Sequence, residues 1–487
     1  MTACSASDAS GDASAGGTSL TWGWNLPTSW DPVTSTAGWD THALALVYDG
    51  LTQLDTEGEP VPGLAESWEY NDDGTAITFH LREDAVFSDG TPVTAEAVKL
   101  NLERGRDQEN STLAGQLRIV TAVDAVDDRT VTVHLDQADY QVPYLFAGKT
   151  GFIVNPDAFD DVASLATQPE GSGPFALTEY VPNAHANLVK NDEYWNADNI
   201  FIDEFSVVPV TDAATAVAGV SSGQWDVSII PASQVKAAET AGLEIEEIDA
   251  LTVRTLDVDS TVAPFDDQRV LQAISHATDR QALIDAAYFG HGTPNWQPFP
   301  DDYVAHNDEL DDLYPYDVDA AKALLAEAGY PDGVDVTLTL GEDDTALAEL
   351  LQAQWAEAGI RATLNVQAAS AISQNYVQRT FPFVLDSYSG RQSPLQGLEV
   401  LYGPDGLMNL GRQTPDELSA AIDLARATPT DDPEYAQRLQ DAVEVGVRLQ
   451  PNTFLFSWPR ILTHTDRVTG IQHWLDVQRW EDVKIEG

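Results

Sequence analysis

The stretch at 62–105 reads PGLAESWEYNDDGTAITFHLREDAVFSDGTPVTAEAVKLNLERG, and its pattern is that of a strand followed by a helix. Apolar and polar residues alternate over 77–81, which predicts a half-buried strand. The tetrapeptide NDDG and the tripeptide SDG predict a turn on each side of that strand. Thr94 is a good N-cap and predicts a helix over 95–104.

The chain around this stretch continues as an α/β pattern. A second alternating strand at 131–135 completes a compact, strand-rich unit over 44–174, in which 41–51 has helical spacing up to a glycine. Strands and helices then alternate over 174–255, which indicates a mixed α/β sheet. A strand, a helical stripe that includes Trp355 and a second strand follow, and they predict a βαβ unit.

Composition restricts the function classes. The 487 residues include 79 acidic and 24 basic side chains, a formal net charge of −55, so a phosphate backbone would be repelled and nucleic acid is excluded as a partner. No apolar run approaches the roughly 18 residues of a membrane span. A single cysteine excludes an internal disulfide and a cysteine metal site. A buried basic residue in so acidic a chain would be informative.

Enzyme motifs are weak. Residues 219–223 fit G-x-S-x-G, with Ser221 as the nucleophile, but that motif needs a strand before the serine and a helix after it. Here a predicted helix precedes the serine and a strand follows. The nine histidines show no H-x-x-x-H spacing, and there is no P-loop. We therefore expect no catalytic residues, no metal and no cofactor.

The blocks in the quoted stretch resemble a known family, the peptide/nickel class of ABC-transporter extracellular solute-binding proteins (bacterial solute-binding protein family 5). Further blocks follow in the family's order over nearly the whole chain. They are GPF at 173–175, NDEYW at 191–195, GQWD at 223–226, FDDQRV at 265–270, and YD at 316–317 with AAKALLAEAGY at 320–330.

The resemblance implies a two-lobed, periplasmic-binding-protein-like type II fold with an extra domain and a hinged cleft. It implies a solute captured by hinge closure, without chemistry, by a monomer that delivers it to an ABC permease in the membrane. The implied division is a tether at 1–17, domain I at 18–43, 175–255 and 468–487, domain II at 44–174, and domain III at 256–467.

The N-terminus is explained by the same resemblance. The segment from Ser5 to Gly17 contains only Ser, Ala, Asp and Gly. These small residues cannot bury enough apolar surface to order the segment. Cys4 matches the lipid anchor of Gram-positive members, with the signal peptide removed, and the small residues match the tether. This implies an extracellular, membrane-tethered lipoprotein. From position alone, Cys4 could equally be an exposed thiol or part of an artificial N-terminal addition.

Candidate ligand-binding residues are aromatic or cationic side chains at the cleft positions of the family. Aromatic rings suit a cleft because they combine large rigid contact area with a polar edge, although core packing is the ordinary role of a tryptophan. The candidates are Trp22, Trp24, Trp39, Lys149, Trp296, Tyr388, Arg391 and Trp458.

The sequence around Arg391 leaves two alternatives for the class of ligand. Peptide-binding relatives commonly carry an aspartate there that pairs with the peptide's free amine, whereas this chain has Arg391, and Asp386 is expected to face away. Arginine favours a carboxylate, which makes a small anionic, amide- or hydrazide-like, or aromatic solute the alternative to a peptide. Arg391 could also pair with a surface acid. The rival functions are an extracellular serine hydrolase using Ser221 and a sensory receptor domain of the same fold.

Overall fold

The structure is a computed structural model that describes residues 18–301, 303–390 and 393–486. Cys4, the tether and Arg391 lie outside the described residues, so what the sequence predicts for them stays a prediction. The strands are β1 (Ser19–Trp24), β2 (Thr52–Leu54), β3 (Pro60–Pro62), β4 (Ala65–Tyr70), β5 (Ala76–Leu81), β6 (Val120–Ala125), β7 (Thr130–Leu135), β8 (Phe175–Val181), β9 (His185–Lys190), β10 (Glu204–Pro209), β11 (Val227–Ile229), β12 (Glu244–Ile248), β13 (Thr252–Val258), β14 (Thr293–Pro294), β15 (Val334–Gly341), β16 (Ile360–Gln367), β17 (Phe383–Ser389), β18 (Asn452–Ser457), β19 (Arg460–His464), β20 (Val468–Thr469) and β21 (Lys484–Ile485). The helices are α1 (Asp40–Leu44), α2 (Ala95–Asp107), α3 (Ala114–Leu117), α4 (Val142–Leu145), α5 (Ala213–Ser221), α6 (Ala232–Thr240), α7 (Gln268–His276), α8 (Arg280–Ala287), α9 (Val318–Glu327), α10 (Thr345–Ala358), α11 (Ala369–Gln378), α12 (Pro394–Tyr402), α13 (Asp416–Arg426) and α14 (Tyr435–Leu449).

The first large sheet has the strand order β12-β19-β11-β1-β10-β9-β8, with β1 parallel to β10 and β11 and the outer pairings antiparallel. Its core is aromatic, since Trp22 stacks on Trp24 at 4.8 Å and meets Trp480 edge-to-face at 5.0 Å. Gly23 lets β1 approach β11, because a Cβ there would lie 2.4 Å from the Ser228 hydroxyl.

The second large sheet has the order β14-β18-β13-β17-β15-β16. The predicted βαβ unit is confirmed, since β15 and β16 run parallel and α10 connects them. Trp355 on α10 is fully buried and stacks on Phe383 of β17. The two large sheets, with helices packed on them, form the two lobes of a type II binding-protein fold.

The quoted stretch forms the core of the small unit, a four-stranded sheet in the order β4-β5-β7-β6 with α2 packed on it. The predicted strands are β5 and β7, whose Ile77, Phe79, Val131 and Val133 are fully buried. Thr94 caps α2 as predicted, because its side chain accepts a hydrogen bond from the Ala97 backbone N–H.

One predicted helix is much shorter in the structure. The helical spacing over 41–51 produces only α1, which ends at Leu44. The carbonyl oxygens of Leu46 and Val47 instead accept hydrogen bonds from the backbone N–H groups of Phe175 and Gly173. These backbone groups are satisfied across the fold, so the helix does not continue.

The three-domain division stays a proposal, and the sheets suggest two changes to it. Domain I was assigned up to 255, yet β13 begins at Thr252 in the second large sheet, so the first crossing fits better at 249–251. The sequence assigned 256–467 to domain III, yet β19 pairs with β11 and β12 in the first large sheet. The return to domain I therefore fits better at 458–459, between β18 and β19, than at 467.

A buried ion pair fastens the small unit to the first lobe. Arg104 of α2 donates from Nη1 to Asp31 at 3.0 Å and from Nη2 to the other carboxylate oxygen, and both side chains are almost fully buried. Removing one partner of a buried pair leaves an uncompensated charge out of water, which is strongly destabilising.

Arg104→Met should therefore lower the free energy of unfolding by about 3–5 kcal/mol. Denaturant titration followed by tryptophan fluorescence measures this change. The matched control is Arg361→Met, which breaks an exposed pair with Asp335 and should cost under about 1 kcal/mol. Equal effects of the two substitutions would contradict the assigned role of the buried pair.

Candidate functional site

The chain passes from one large sheet to the other at two adjacent places. Residues 249–251 connect β12 to β13, and residues 458–459 connect β18 to β19. The two connections, which we call the hinge segments, lie side by side, because the Thr252 hydroxyl donates to the Trp458 carbonyl at 2.9 Å. Two short, adjacent connections of this kind allow the lobes to rotate about them.

A cavity of about 1190 Å³ lies against the hinge segments, between the lobes. Its walls combine aromatic, apolar and charged side chains from all three units. The first lobe contributes Trp24, Trp39, His42 and Ile229, the small unit Leu113, Gln116 and Lys149, the second lobe Arg254, Tyr288, Tyr376 and Asp386, and the hinge segments Leu251 and Trp458.

Four of the predicted ligand-binding residues lie on the cavity wall, namely Trp24, Trp39, Lys149 and Trp458. Trp39 is the most accessible of them, at 52% exposure. Lys149 projects from the small unit towards the first lobe, where its Nζ donates to the carbonyl oxygens of Ser35 and Ala37 at 3.3 and 3.2 Å. Whether these side chains bind ligand stays a prediction.

Three of the predicted residues lie away from the wall. Trp22 is fully buried behind Trp24. Trp296 packs beneath the Arg280 guanidinium and donates from Nε1 to the Tyr314 carbonyl. Tyr388 is fully buried in the core of the second lobe. Trp22 and Tyr388 occupy core positions and Trp296 is half-buried, and the sequence offers no sign of depth that separates these residues from the wall residues.

The prediction that Asp386 faces away is wrong. Its side chain is on the cavity wall, at the middle of β17, where Asp386 pairs with Thr255 of β13. Its Oδ2 lies 2.7 Å from the Tyr376 hydroxyl, and its Oδ1 accepts from the Ser387 backbone N–H at 2.8 Å. Alternate residues of a strand point to opposite faces of the sheet, so a residue within the strand can line a cavity on one face.

Arg254 is a wall residue that the sequence reasoning did not name. Its Nη2 lies 2.7 Å from Asp344, its Nε donates to the Tyr288 hydroxyl at 2.8 Å, and its guanidinium stacks 5.2 Å from the Trp458 ring. Burial opposes its charge, but Tyr288 and Asp344 outweigh that effect and hold the pKa of Arg254 above its ordinary value. The available signal was a lone basic residue in a buried strand of an acidic chain.

His42 supplies a neutral hydrogen-bond donor to the cavity. Its Nδ1 accepts from the Gln478 backbone N–H at 2.9 Å, so the ring proton is on Nε2. Burial, and secondly the charge of Arg460, hold the pKa of His42 well below its ordinary value. His42 also meets Trp24 edge-to-face at 4.7 Å, which fixes its orientation.

Candidate catalytic and metal-binding groups lie outside the cavity wall. Ser221 is exposed at the end of α5, and its hydroxyl donates to the Ala218 carbonyl at 3.2 Å. Among the described residues, one cluster could offer three metal ligands, Asp301, His306 and Asp311. The Gln297 side-chain amide lies 3.2 Å from both His306 Nε2 and an Asp311 oxygen, so hydrogen bonds already engage this cluster.

Comparison with known proteins assigns the fold and cavity to a family. Residues 59–408 match the family model "Bacterial extracellular solute-binding proteins, family 5 Middle". The chain belongs to this family. Within the described residues, no helix is both long enough and apolar enough to cross a membrane.

Several relatives of this family 5 protein are known. It is similar to Heme-binding protein A of Haemophilus influenzae, with 30% identity over 65% of this chain and 63% of that protein, so the match spans less than two thirds of that relative. It is similar to Glutathione-binding protein GsiB of Salmonella paratyphi A, with 27% identity over 87% of this chain and 85% of that protein. The structure of HbpA2 from Haemophilus parasuis covers 97% of this chain and all of its own, with 25% identity and a TM-score of 0.85.

The lobes of this family 5 protein also touch away from the hinge segments. Arg426 of α13 lies 3.3 Å from Asp139 of the small unit, with both side chains buried, and the Arg426 carbonyl accepts from the Tyr140 backbone N–H. Gln141 beside them donates to the Tyr435 hydroxyl at 3.0 Å. We call these contacts the latch. The latch joins the second lobe to the small unit, which Arg104 fastens to the first lobe, so we expect separation of the lobes to break it.

Arg426→Gln should shift the unliganded protein towards an open form, because Asp139 would lose its buried cation and gain hydration when the lobes separate. Small-angle X-ray scattering should show a larger radius of gyration than in the wild type. Arg438→Gln is the control, since Arg438 pairs with Glu434 on the exposed face of the neighbouring α14. Scattering curves that coincide for wild type and Arg426→Gln would contradict a role of the latch in closure.

Proposed function

We propose that this family 5 protein is the extracellular binding component of an ABC importer, and that it captures a short peptide-like zwitterion in the cavity between its lobes. The observation that carries this proposal is the carboxylate of Asp386 on the cavity wall. Its hydrogen bonds within the described residues come from a hydroxyl and a backbone N–H. Arg254 also faces Asp386 but is already paired with Asp344 at 2.7 Å, so a protonated amine of a ligand would supply Asp386 with its own opposite charge.

The size of the cavity favours a ligand of several residues. Its volume of about 1190 Å³ exceeds the roughly 300–1,000 Å³ of typical small-molecule pockets. A single amino acid or a bare metal ion would leave most of it filled with water. The aromatic rings of Trp24, Trp39 and Trp458 provide side-chain contact area without requiring one particular side chain.

The charges on the walls favour a ligand with both signs of charge. Asp386 is on the second lobe, whereas Lys149 brings a positive charge and His42 an N–H donor from the other side of the cavity. A peptide with a free amine and a free carboxylate has this charge separation. Glutathione, named for the relative GsiB, is itself a tripeptide with an amine and two carboxylates.

The remaining parts of the proposal concern location and assembly. Cys4 would carry the lipid anchor, residues 5–17 would act as the tether, and a monomer would deliver the solute unchanged to the permease. Arg391, which lies outside the described residues, would add a carboxylate partner. Arg391→Ala should then lower the affinity for an anionic ligand by about 2 kcal/mol, as expected for a desolvated charged hydrogen bond.

Asp386→Asn should lower the affinity for trialanine, a probe with a free amine, by about 2 kcal/mol, because a charge-assisted hydrogen bond is replaced by a neutral one. Isothermal titration calorimetry measures the change. N-acetyl-trialanine, which has no cationic amine, should bind wild type and variant equally.

The matched control for this substitution is Asp212→Asn at the cavity mouth. Asp212 is exposed and caps α5, a role that asparagine can also fill, so affinity for trialanine should change little. An Asp386→Asn variant that keeps wild-type affinity for trialanine would remove Asp386 from the site.

A further inference from the structure

A second carboxylate lies directly behind the cavity wall. Asp257 of β13 is fully buried, and its Oδ2 is 2.7 Å from the Tyr376 hydroxyl. The same hydroxyl is 2.7 Å from Oδ2 of Asp386. One phenol oxygen therefore bridges two aspartates, one buried and one on the wall.

The Tyr376 hydroxyl cannot donate a hydrogen bond to both aspartates if both are ionised. A tyrosine hydroxyl has one proton to donate, whereas an ionised carboxylate can only accept. When Tyr376 donates to one aspartate, its contact with the other is favourable only if that acid carries a proton and donates it to the phenol oxygen. The geometry is thus that of one additional proton held by the pair.

Among the described residues, no cation is paired with Asp257 to replace that proton. Oδ1 of Asp257 accepts from the Asn452 amide of β18 at 2.6 Å. The nearest charged groups face Asp386 instead, namely Arg254 of β13 and its partner Asp344. Burial first, and the charge of Asp386 in addition, raise the pKa of Asp257 to about 7.

We propose that Asp257 and Tyr376 are specificity-determining residues, which hold one proton jointly with Asp386 so that the cavity wall carries one negative charge instead of two near neutral pH. A cationic group arriving at Asp386 displaces this proton, which leaves as a hydrated proton to buffer; the Tyr376 hydroxyl then donates its one proton to Asp257, and the cation compensates the charge of Asp386. This coupling to a cation rests on the proposed function, whereas the shared proton does not.

The unliganded protein tests the shared proton. Asp257→Asn mimics the protonated acid, since its amide can donate to Tyr376 and its carbonyl can accept from Asn452. In the wild type, the folded state binds more protons than the unfolded state between about pH 4 and 7, so stability falls as pH rises through that window, by up to about tenfold in the unfolding constant per pH unit. Asp257→Asn should lack this component.

Melting temperatures measured from pH 5 to 8 should therefore diverge, with Asp257→Asn increasingly the more stable protein. Asp335→Asn, an exposed acid on β15 of the same sheet, is the control and should follow the wild type. Infrared spectroscopy should also show the carbonyl stretch of a buried protonated carboxyl in the wild type at pH 6, and not in Asp257→Asn. Parallel melting curves together with no such band would overturn the shared proton.

Trialanine tests the displacement by a cation. Its affinity for the wild type should rise by up to about tenfold per pH unit between pH 6 and 7, with proton release detected by calorimetry in two buffers, whereas Asp257→Asn should show a flat profile. Binding to both proteins with the same flat profile would overturn the coupling. If trialanine binds neither, the proposed ligand class fails, and the unliganded measurements still decide the shared proton.

Discussion

The paired connection between the two large sheets is the constraint on which the rest of the structure depends. Because residues 249–251 and 458–459 lie side by side, the lobes can rotate about this axis without breaking either sheet. The same segments form part of the cavity wall, through Leu251 and Trp458. A solute in the cavity therefore touches the hinge itself, and its differential affinity for the two lobe arrangements sets the extent of closure.

Buried arginines mark the junctions of this acidic protein. Arg104 joins the small unit to the first lobe, Arg426 joins it to the second lobe, and Arg254 orders the wall beside the hinge segments. Arg460, at the start of β19, donates to the carbonyl oxygens of Trp474 and Asp476, and burial lowers its pKa to about 10. In a chain with 24 basic residues against 79 acidic ones, Arg104, Arg426 and Arg254 each pair with a largely buried carboxylate, whereas Arg460 satisfies backbone carbonyls.

The sequence predicted the strands and helices whose periodicity is local. β5, β7, α2 and the βαβ unit of the second sheet follow from alternation, a good N-cap and a helical stripe. It did not predict the early end of α1. The backbone N–H groups that donate to the carbonyl oxygens after α1 belong to Gly173 and Phe175, which lie far along the chain. The family resemblance supplied the two-lobed fold, which no local pattern contains.

The candidate site was predicted less completely than the fold, for a physical reason. Trp22 and Trp24 are two positions apart on one strand, yet only Trp24 reaches the cavity. The position of the other lobe decides which part of the strand lines the cavity. Asp386 and Tyr388 are also two positions apart on one strand. The sequence predicted that Tyr388 lines the cavity and that Asp386 faces away, whereas Asp386 lies on the wall and Tyr388 is buried. Arg254 contacts Asp344, and Tyr376 contacts Asp257 and Asp386. Only the tertiary fold brings these partners together, so the local sequence does not predict the contacts.

We propose that this protein encloses a peptide-like solute between its lobes and releases it chemically intact. Native mass spectrometry of the purified protein, incubated with a mixture of tri- and tetrapeptides, tests it most directly. The account predicts a complex of one protein with one peptide, from which denaturation releases the peptide at its original mass. Shortened peptides accumulating with time, or no retained peptide at all, would contradict it.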